Sequence, residues 1–423
     1  MSDDSASGTL ASERKARILD EAAASFNEIG YFDTRLEDIA ERIGAAKTLI
    51  SYHYRSKETL LAEAYERSLA FAEDELRDAA RARDGLERAV GWVRGHAYAH
   101  ANAAFGRRAP LALVADLQAL GDGDRAELSA RYELQIREVR NFLREGVEDG
   151  SVAVASVEAA TFFIFSIVHW LPRWLQNVPP QRQDDAVDGL CDLMRYGLAT
   201  DRSRAPAALP ALDGAEAFPE IFDRDTRNRL KREAFLRAGT RFLNRKGFRS
   251  LSLNEVAAEL GVTRGAFYYY IKDKEDLLER CFDRSFGLIE KSMHGSGPDA
   301  LATLEASVRR LFQSHSTDLD PLVRTSLVHA LPAAKKRAAA ARMNKIAATY
   351  SEILADGMVD GSVRPIDLEA AEQLVLGAVF AASRRRLAHT GLETTWRPCE
   401  SPVAASAVYF EPLIRGLARR PAV

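Results

Sequence analysis

Apolar positions recur at helical spacing along most of the chain, and one polar–apolar pattern is written twice. Ile18, Ala22, Phe26 and Ile29 lie about one helical turn apart, and Phe235, Ala238, Phe242 and Leu243 form the corresponding face 217 positions later. Gly30 then answers to Gly247, Ala40 to Ala257, Gly44 to Gly261, and Tyr52 to Tyr269, without a gap. In the second copy the pattern predicts a first helix over about Arg227 to Arg245, closed at Lys246-Gly247. Ser252 is placed to cap a two-turn helix over Leu253 to Leu260. Gly261-Val262-Thr263 makes a tight turn, with Thr263 capping a third helix over Arg264 to Tyr270. Ala266 and Phe267 are expected to face the core, leaving Arg264, Gly265, Tyr268 and Tyr270 outside. In the first copy the turn is Gly44-Ala45-Ala46 and the third helix is Lys47 to His53.

The duplication extends further. Asp149-Gly150-Ser151-Val152 returns as Asp360-Gly361-Ser362-Val363, each followed by a helix that begins near Val157 or Leu368. Here the offset is 211, so the second copy is shorter by a few positions. Each half therefore reads as a short helical head followed by a larger helical body. No alternating strand pattern of useful length occurs, and the expected fold class is all-α. The expected organisation is a disordered start over 1–12, a head over 13–62 and a body over 63–200. A Pro/Ala/Gly-rich linker over 201–223 leads to a second head over 224–279 and a second body over 280–423.

Two short helices joined by a glycine-containing turn form a helix-turn-helix, whose second helix presents its first residues to base edges in the major groove. Tyr268, Tyr269 and Tyr270 suit that place, since a ring meets a thymine methyl and a hydroxyl meets phosphate. Lys274 and its counterpart Lys57, at the start of the next helix, are placed for a backbone phosphate. Net charge is −3, so any nucleic-acid binding must come from local clusters of this kind.

The double pattern resembles the DNA-binding domain of the TetR family of bacterial transcription regulators. The second copy carries the family's motif at Gly247, Phe248, Ser252, Val256, Ala257, Gly261, Val262, Thr263, Gly265, Phe267, Tyr268, Lys274 and Glu275. The first carries it at Gly30, Tyr31, Thr34, Ile39, Ala40, Gly44, Tyr52, His53, Lys57 and Glu58. The first departs at Ala45-Ala46, at Thr48 where glycine is usual, at Ser51 in place of the first tyrosine, and at Arg35, which leaves Thr34 as the candidate cap. Each missing cap costs on the order of 1 kcal/mol. The expected DNA-contacting set is thus Thr34, Lys47, Thr48, Tyr52, His53 and Lys57 in the first head. In the second it is Ser252, Thr263, Arg264, Gly265, Tyr268, Tyr269, Tyr270 and Lys274.

The resemblance implies a double-stranded DNA operator, a small-molecule effector of unknown identity, and bodies that pair through their last two helices. Those helices are expected over Val157–Gln176 with Asp184–Leu198, and over Leu368–His389 with Val403–Leu417. The first pair is aromatic-rich (Phe162, Phe163, Phe165, Trp170, Trp174) and the second small in side chain, followed by Arg384-Arg385-Arg386; the two make a complementary, unequal pair. The linker reaches ~66–72 Å when extended, enough for the halves to pair as an intrachain pseudo-dimer, with a homodimer of the tandem chain as the alternative. Repression is the family's default; an activator, or a ligand-binding scaffold with relic heads, are the other readings.

Candidate effector residues are His96 and His100, which share a helix face, and Arg173 between Trp170 and Trp174. The paired histidines have metal-ligand spacing but no third ligand, and a structural or solvent-facing role suits them better. Arg173 is equally suited to stacking or to solvent. No phosphate-binding glycine loop, Gly-x-Ser-x-Gly or His-Glu-x-x-His occurs, so neither an enzyme, a cofactor nor a metal is expected. Three widely spaced cysteines, a start unlike a signal peptide and no long apolar run predict a cytoplasmic protein without a membrane span.

Overall fold

The computed structural model describes residues 3–207, 209, 224–295, 297–316, 321–382 and 401–419. In the first half, a head of α1 (Asp3–Glu28), α2 (Leu36–Arg42) and α3 (Lys47–His53) leads into α4 (Lys57–Ala79). Its body adds α5 (Gly85–Ala104), α6 (Asp122–Asp149), α7 (Val157–Leu175) and α8 (Gln183–Tyr196). The second half repeats this order with α9 (Arg224–Lys246), α10 (Leu253–Glu259), α11 (Arg264–Tyr268) and α12 (Lys274–Met293). It continues with α13 (Ala300–Ser316), α14 (Ala333–Asp360), α15 (Leu368–Ala382) and α16 (Pro402–Arg415). The protein is all-α, and two isolated β-bridges, Val152 with Ala418 and Ala199 with Val363, are the extended pairings among the described residues.

The repeated Asp-Gly-Ser-Val ties each body together. Gly150 (φ +81°) and Gly361 (φ +80°) end α6 and α14 in the left-handed conformation that glycine adopts without strain. Asp149 then accepts from the Gly85 N–H at 2.9 Å, and the Ser151 hydroxyl accepts from Leu86 at 3.1 Å, satisfying free donors at the start of α5. Asp360 and Ser362 do the same for Ala300 and Leu301 of α13, at 2.9 and 3.2 Å.

The halves pack on one another through α7 and α8 against α15 and α16. Their backbone contacts are reciprocal. The Ala153 N–H donates to the Leu417 carbonyl at 2.9 Å, and its counterpart Arg364 donates to Leu198 at 2.9 Å. Ala199 donates to Ile414 at 2.8 Å, and Ala418 to Arg195 at 2.9 Å. Such exchange of equivalent partners is the property of a two-fold contact. It brings Gly197 (φ +65°) and Gly416 (φ +71°) so close that a Cβ on Gly416 would sit 2.3 Å from the Arg195 carbonyl oxygen. Side chains at this contact are unequal, as the composition of the helices predicts. Trp170 stacks on Phe380 at 5.5 Å and 7°, and a Cβ on Gly377 would lie 3.0 Å from the Trp170 Cβ. Tyr409 donates to the Ser166 hydroxyl at 2.9 Å and meets Phe162 and Phe163.

Two sequence expectations change. Residues 3–12, read as disordered, continue α1; extending an existing helix through Ser and Ala costs far less than starting one. The linker begins as a packed segment: Arg204 pairs with Asp299 at 3.1 Å, and Ala207 donates to Glu305 at 3.0 Å while accepting from Arg309 at 2.6 Å. Most of the linker, and Arg384-Arg385-Arg386, lie outside the described residues.

Candidate nucleic-acid interface

Each head is a three-helix unit around a small apolar core. Ile18, Ile39 and Ile50 are fully buried in the first, as are Ala238, Val256 and Phe267 in the second. Gly44 (φ +66°) and Gly261 (φ +63°) make the turn that swings the third helix outward. In the second head the Ser252 and Thr263 hydroxyls accept the Glu255 and Ala266 N–H groups at 3.4 and 3.3 Å, as N-caps. In the first, Ala46 offers α3 no side-chain cap. Arg35 occupies the cap position of α2, where its N–H donates to Asp38 at 3.3 Å and its guanidinium pairs with the same carboxylate at 2.6 Å. Thr34 does not serve as cap or contact surface: it is 1% exposed, and its hydroxyl donates to the Gly30 carbonyl at 2.8 Å.

Each head exposes tyrosine on its third helix or just past its end. Tyr52 is 82% exposed and Tyr269 77%, against 39% for Tyr268. A neighbouring ring props each at its edge: His53 beside Tyr52 at 5.1 Å and Tyr270 beside Tyr269 at 5.0 Å. Tyr270 itself turns inward, contrary to the sequence expectation. Its hydroxyl donates to Asn228 at 2.8 Å and its ring meets Phe235, because α11 closes at Tyr268 and the chain bends back. The same short helix leaves Ala266 exposed where burial was expected. Gly265 has open space beyond its Cα, Arg264 lies over the Tyr268 ring at 5.3 Å, and Thr48 is exposed. Lys47 is exposed and pairs with Glu37 at 2.6 Å.

The two lysines expected at phosphates also brace their own heads. Lys57 donates to the carbonyls of Tyr31 and Thr34 at 2.7 and 2.9 Å and lies over the Tyr31 ring at 4.2 Å; burial lowers its pKa. Lys274 reaches the Arg249 carbonyl at 3.3 Å and the Phe248 ring at 5.4 Å. Each closes the loop before the second helix of its head, a use that a long flexible stem permits. Exposed cations on or beside the third helices include Lys47, Arg55, Arg264 and Lys272.

One further contact joins the two heads. The Asp33 carboxylate, in the first head, accepts the Phe248 and Arg249 N–H groups of the second at 3.0 and 2.8 Å. Arg249 also stands 3.5 Å from Asp38. The second copy has Ser250 in place of Asp33, so this contact between heads is one-sided.

The effector candidates separate into two places. His96 and His100, each 6% exposed, line a cavity inside the first body with His169 and Trp92. Trp170 and Trp174 line a smaller cleft between the halves, with Gly377 and Gln373. Arg173 stacks over Trp170 at 5.7 Å. No group of three or more metal-ligating side chains is assembled among the described residues, and no described helix is long and apolar enough to cross a membrane.

The model of bacterial regulatory proteins of the tetR family matches residues 18–64 and again 235–281. That of the tetracyclin repressor-like C-terminal domain matches 82–198. The chain belongs to the TetR family, as two units in tandem. Among its relatives is the HTH-type transcriptional regulator AcrR of Shigella flexneri, 33% identical over 91 residues that cover 21% of this chain and 42% of that protein. The uncharacterized HTH-type transcriptional regulator YerO of Bacillus subtilis is 32% identical over 75 residues, 16% of this chain and 26% of its own length. The tandem chain thus spans less than half the length of these curated relatives. Among solved structures, the TetR-family regulator PfmR of Thermus thermophilus is 27% identical, with a TM-score of 0.34, covering 42% of the tandem chain and 96% of PfmR.

Proposed function

We propose that this tandem TetR-family chain is a sequence-specific DNA-binding regulator of transcription whose halves act as the two subunits of a pseudo-dimer. The observation that carries the reading is the pairing of two features. Each half exposes tyrosine on or at the end of the third helix of its head, Tyr52 in the first and Tyr268 and Tyr269 in the second, and the halves meet through reciprocal backbone bonds of the kind two subunits exchange. In a helix-turn-helix pair, two such helices enter successive major grooves about 34–36 Å apart. The heads differ at Thr48 and Gly265, at Ser51 and Tyr268, and at His53 and Tyr270, so the operator is an imperfect palindrome. The regulator is an effector-responsive repressor: a ligand in a body favours a head arrangement with lower DNA affinity.

In vitro selection of bound fragments from random duplex DNA tests this reading. It predicts one site with two dissimilar half-sites, and Tyr269→Ala relaxes the preference in one half-site only. Recovery of no common sequence, or of a perfect palindrome, would contradict it.

A further inference from the structure

We propose that the cavity in the first body binds one uncharged, mostly apolar molecule bearing a hydroxyl group, and that residues 110–114 relay its presence to the first head through Asn27. The inference rests on the effector-responsive reading above and adds to it the ligand's chemistry, its one-sidedness and its route.

The empty space of the cavity, counted out through its open mouth, is about 430 Å³. Trp92, Phe165, Leu69 and Val168 form apolar walls. No lining side chain is a carboxylate, an ammonium or a guanidinium, so a charged guest would be stripped of water without a partner. Three buried histidines supply the polarity. The His96 Nδ1 lies 3.0 Å from the Trp92 carbonyl and the His169 Nδ1 lies 2.7 Å from that of Phe165. A carbonyl only accepts, so both Nδ1 atoms hold the proton, and the Nε2 of His96 is an acceptor. His169 Nε2 is 3.5 Å from the Tyr132 hydroxyl. Burial lowers His96 to about 4 and His100 to about 3, keeping both neutral at pH 7. The Trp92 indole N–H is buried without a partner. A wall with an imidazole acceptor suits a guest that donates one hydrogen bond.

Among the described residues, the second body does not repeat this lining. Ser307 stands where the first body has Trp92, and its hydroxyl bridges Ser292 at 2.8 Å and Tyr350 at 3.2 Å. Leu311, buried at 3%, stands where His96 does, and Ile346 replaces Gln135.

The route to the head is a set of bonds on the cavity wall itself. Leu111 and Leu113 line the cavity; the Leu111 carbonyl accepts from Asn27 Nδ2 at 2.7 Å, and the Leu113 N–H donates to Asn27 Oδ1 at 2.8 Å. Ala112 between them donates to the Ser68 hydroxyl at 2.8 Å, and Arg67 joins the Pro110 carbonyl at 2.6 Å to Asp20 of α1 at 2.5 Å. A guest pressing on this loop therefore acts on the last full turn of the helix that carries the first head. The second half keeps the matching clamp, with Asn244 bonded to Leu322 and Arg324 at 2.8 Å each.

The test uses the full chain with three probes of one shape: 2-naphthol, 2-naphthoate and 2-naphthylmethylammonium. Calorimetric titration is expected to show 2-naphthol binding at one molecule per chain, at least tenfold tighter than either ion, with His100→Phe and Ala72→Phe each lowering its affinity tenfold or more. In Asn27→Ala, naphthol binding stays within twofold while its effect on DNA affinity disappears. By reciprocity, DNA weakens naphthol binding in the wild type by the factor that naphthol weakens DNA binding. Preference for an ion, two molecules per chain, or no naphthol binding overturns the site. An undiminished effect on DNA in Asn27→Ala overturns the route. Naphthol binding by a chain that binds no DNA sequence sinks the regulator reading and leaves the site standing.

Discussion

Trp170→Ala removes a ring that the two halves share. The side chain is 8% exposed, stacked on Phe380, closed over Gly377, and its indole N–H donates to Gln373 at 3.1 Å. A buried tryptophan removes roughly 150–250 Å² from water. At about 25 cal/mol per Å² that is worth about 4–6 kcal/mol, and truncations of buried aromatics cost about 3–5 kcal/mol in practice. Trp170→Phe keeps a ring on Phe380 and loses the single hydrogen bond, worth about 1 kcal/mol. Urea unfolding followed by circular dichroism should rank wild type, Trp170→Phe and Trp170→Ala in that order. Because the contact joins the halves, a double-mutant cycle with Phe380→Ala should return a coupling of about 0.5–1.5 kcal/mol. Coupling near zero, or Trp170→Ala within about 1 kcal/mol of wild type, would refute the reasoning that this stack holds the halves together.

Gly416→Ala, with its Cβ 2.3 Å from the Arg195 carbonyl oxygen, should destabilise the fold far more than Gly361→Ala, which shares a positive φ but meets open space and should cost about 1 kcal/mol; equal midpoints in thermal unfolding would contradict the close contact. Tyr52→Ala and Tyr269→Ala should lower DNA affinity in gel shifts without moving the melting temperature, whereas Lys57→Ala and Lys274→Ala should lower the melting temperature and leave the salt dependence of DNA binding nearly unchanged. The fold holds His96 and His100 neutral, at about 4 and about 3, while the unfolded chain takes up protons near its ordinary ~6.5. Stability is therefore full above about pH 6.5 and falls as pH drops toward 4, by up to ~1.4 kcal/mol per pH unit for each histidine. His96→Phe should flatten that slope between pH 6.5 and 4, and an unchanged slope would show that these histidines are not buried neutral.

The heads were readable because local signals agree there. Glycine at a positive φ, a hydroxyl before the second and third helices of the second copy and a helical apolar stripe all act within a few residues, and repetition doubled them. The Asp-Gly-Ser-Val echo was visible as a repeat, but its use was not: its partners, Gly85 and Ala300, lie about sixty residues away. Lys57 and Lys274 read as surface cations because lysine usually is one. The carbonyls that hold Lys57 come from a turn more than twenty residues earlier, which spacing cannot encode. Tyr270 differs for a local reason, since α11 ends two residues early and the Tyr270 ring swings toward α9. Asp33 differs from Ser250 at a matched position, and that asymmetry was the available hint of a contact between heads.

The central claim is that one chain supplies both readers of a single operator. Native mass spectrometry of the complex with the shortest selected duplex tests it most directly. A complex of one chain per duplex is the predicted result. Two chains per duplex, with four heads on one site, would contradict it.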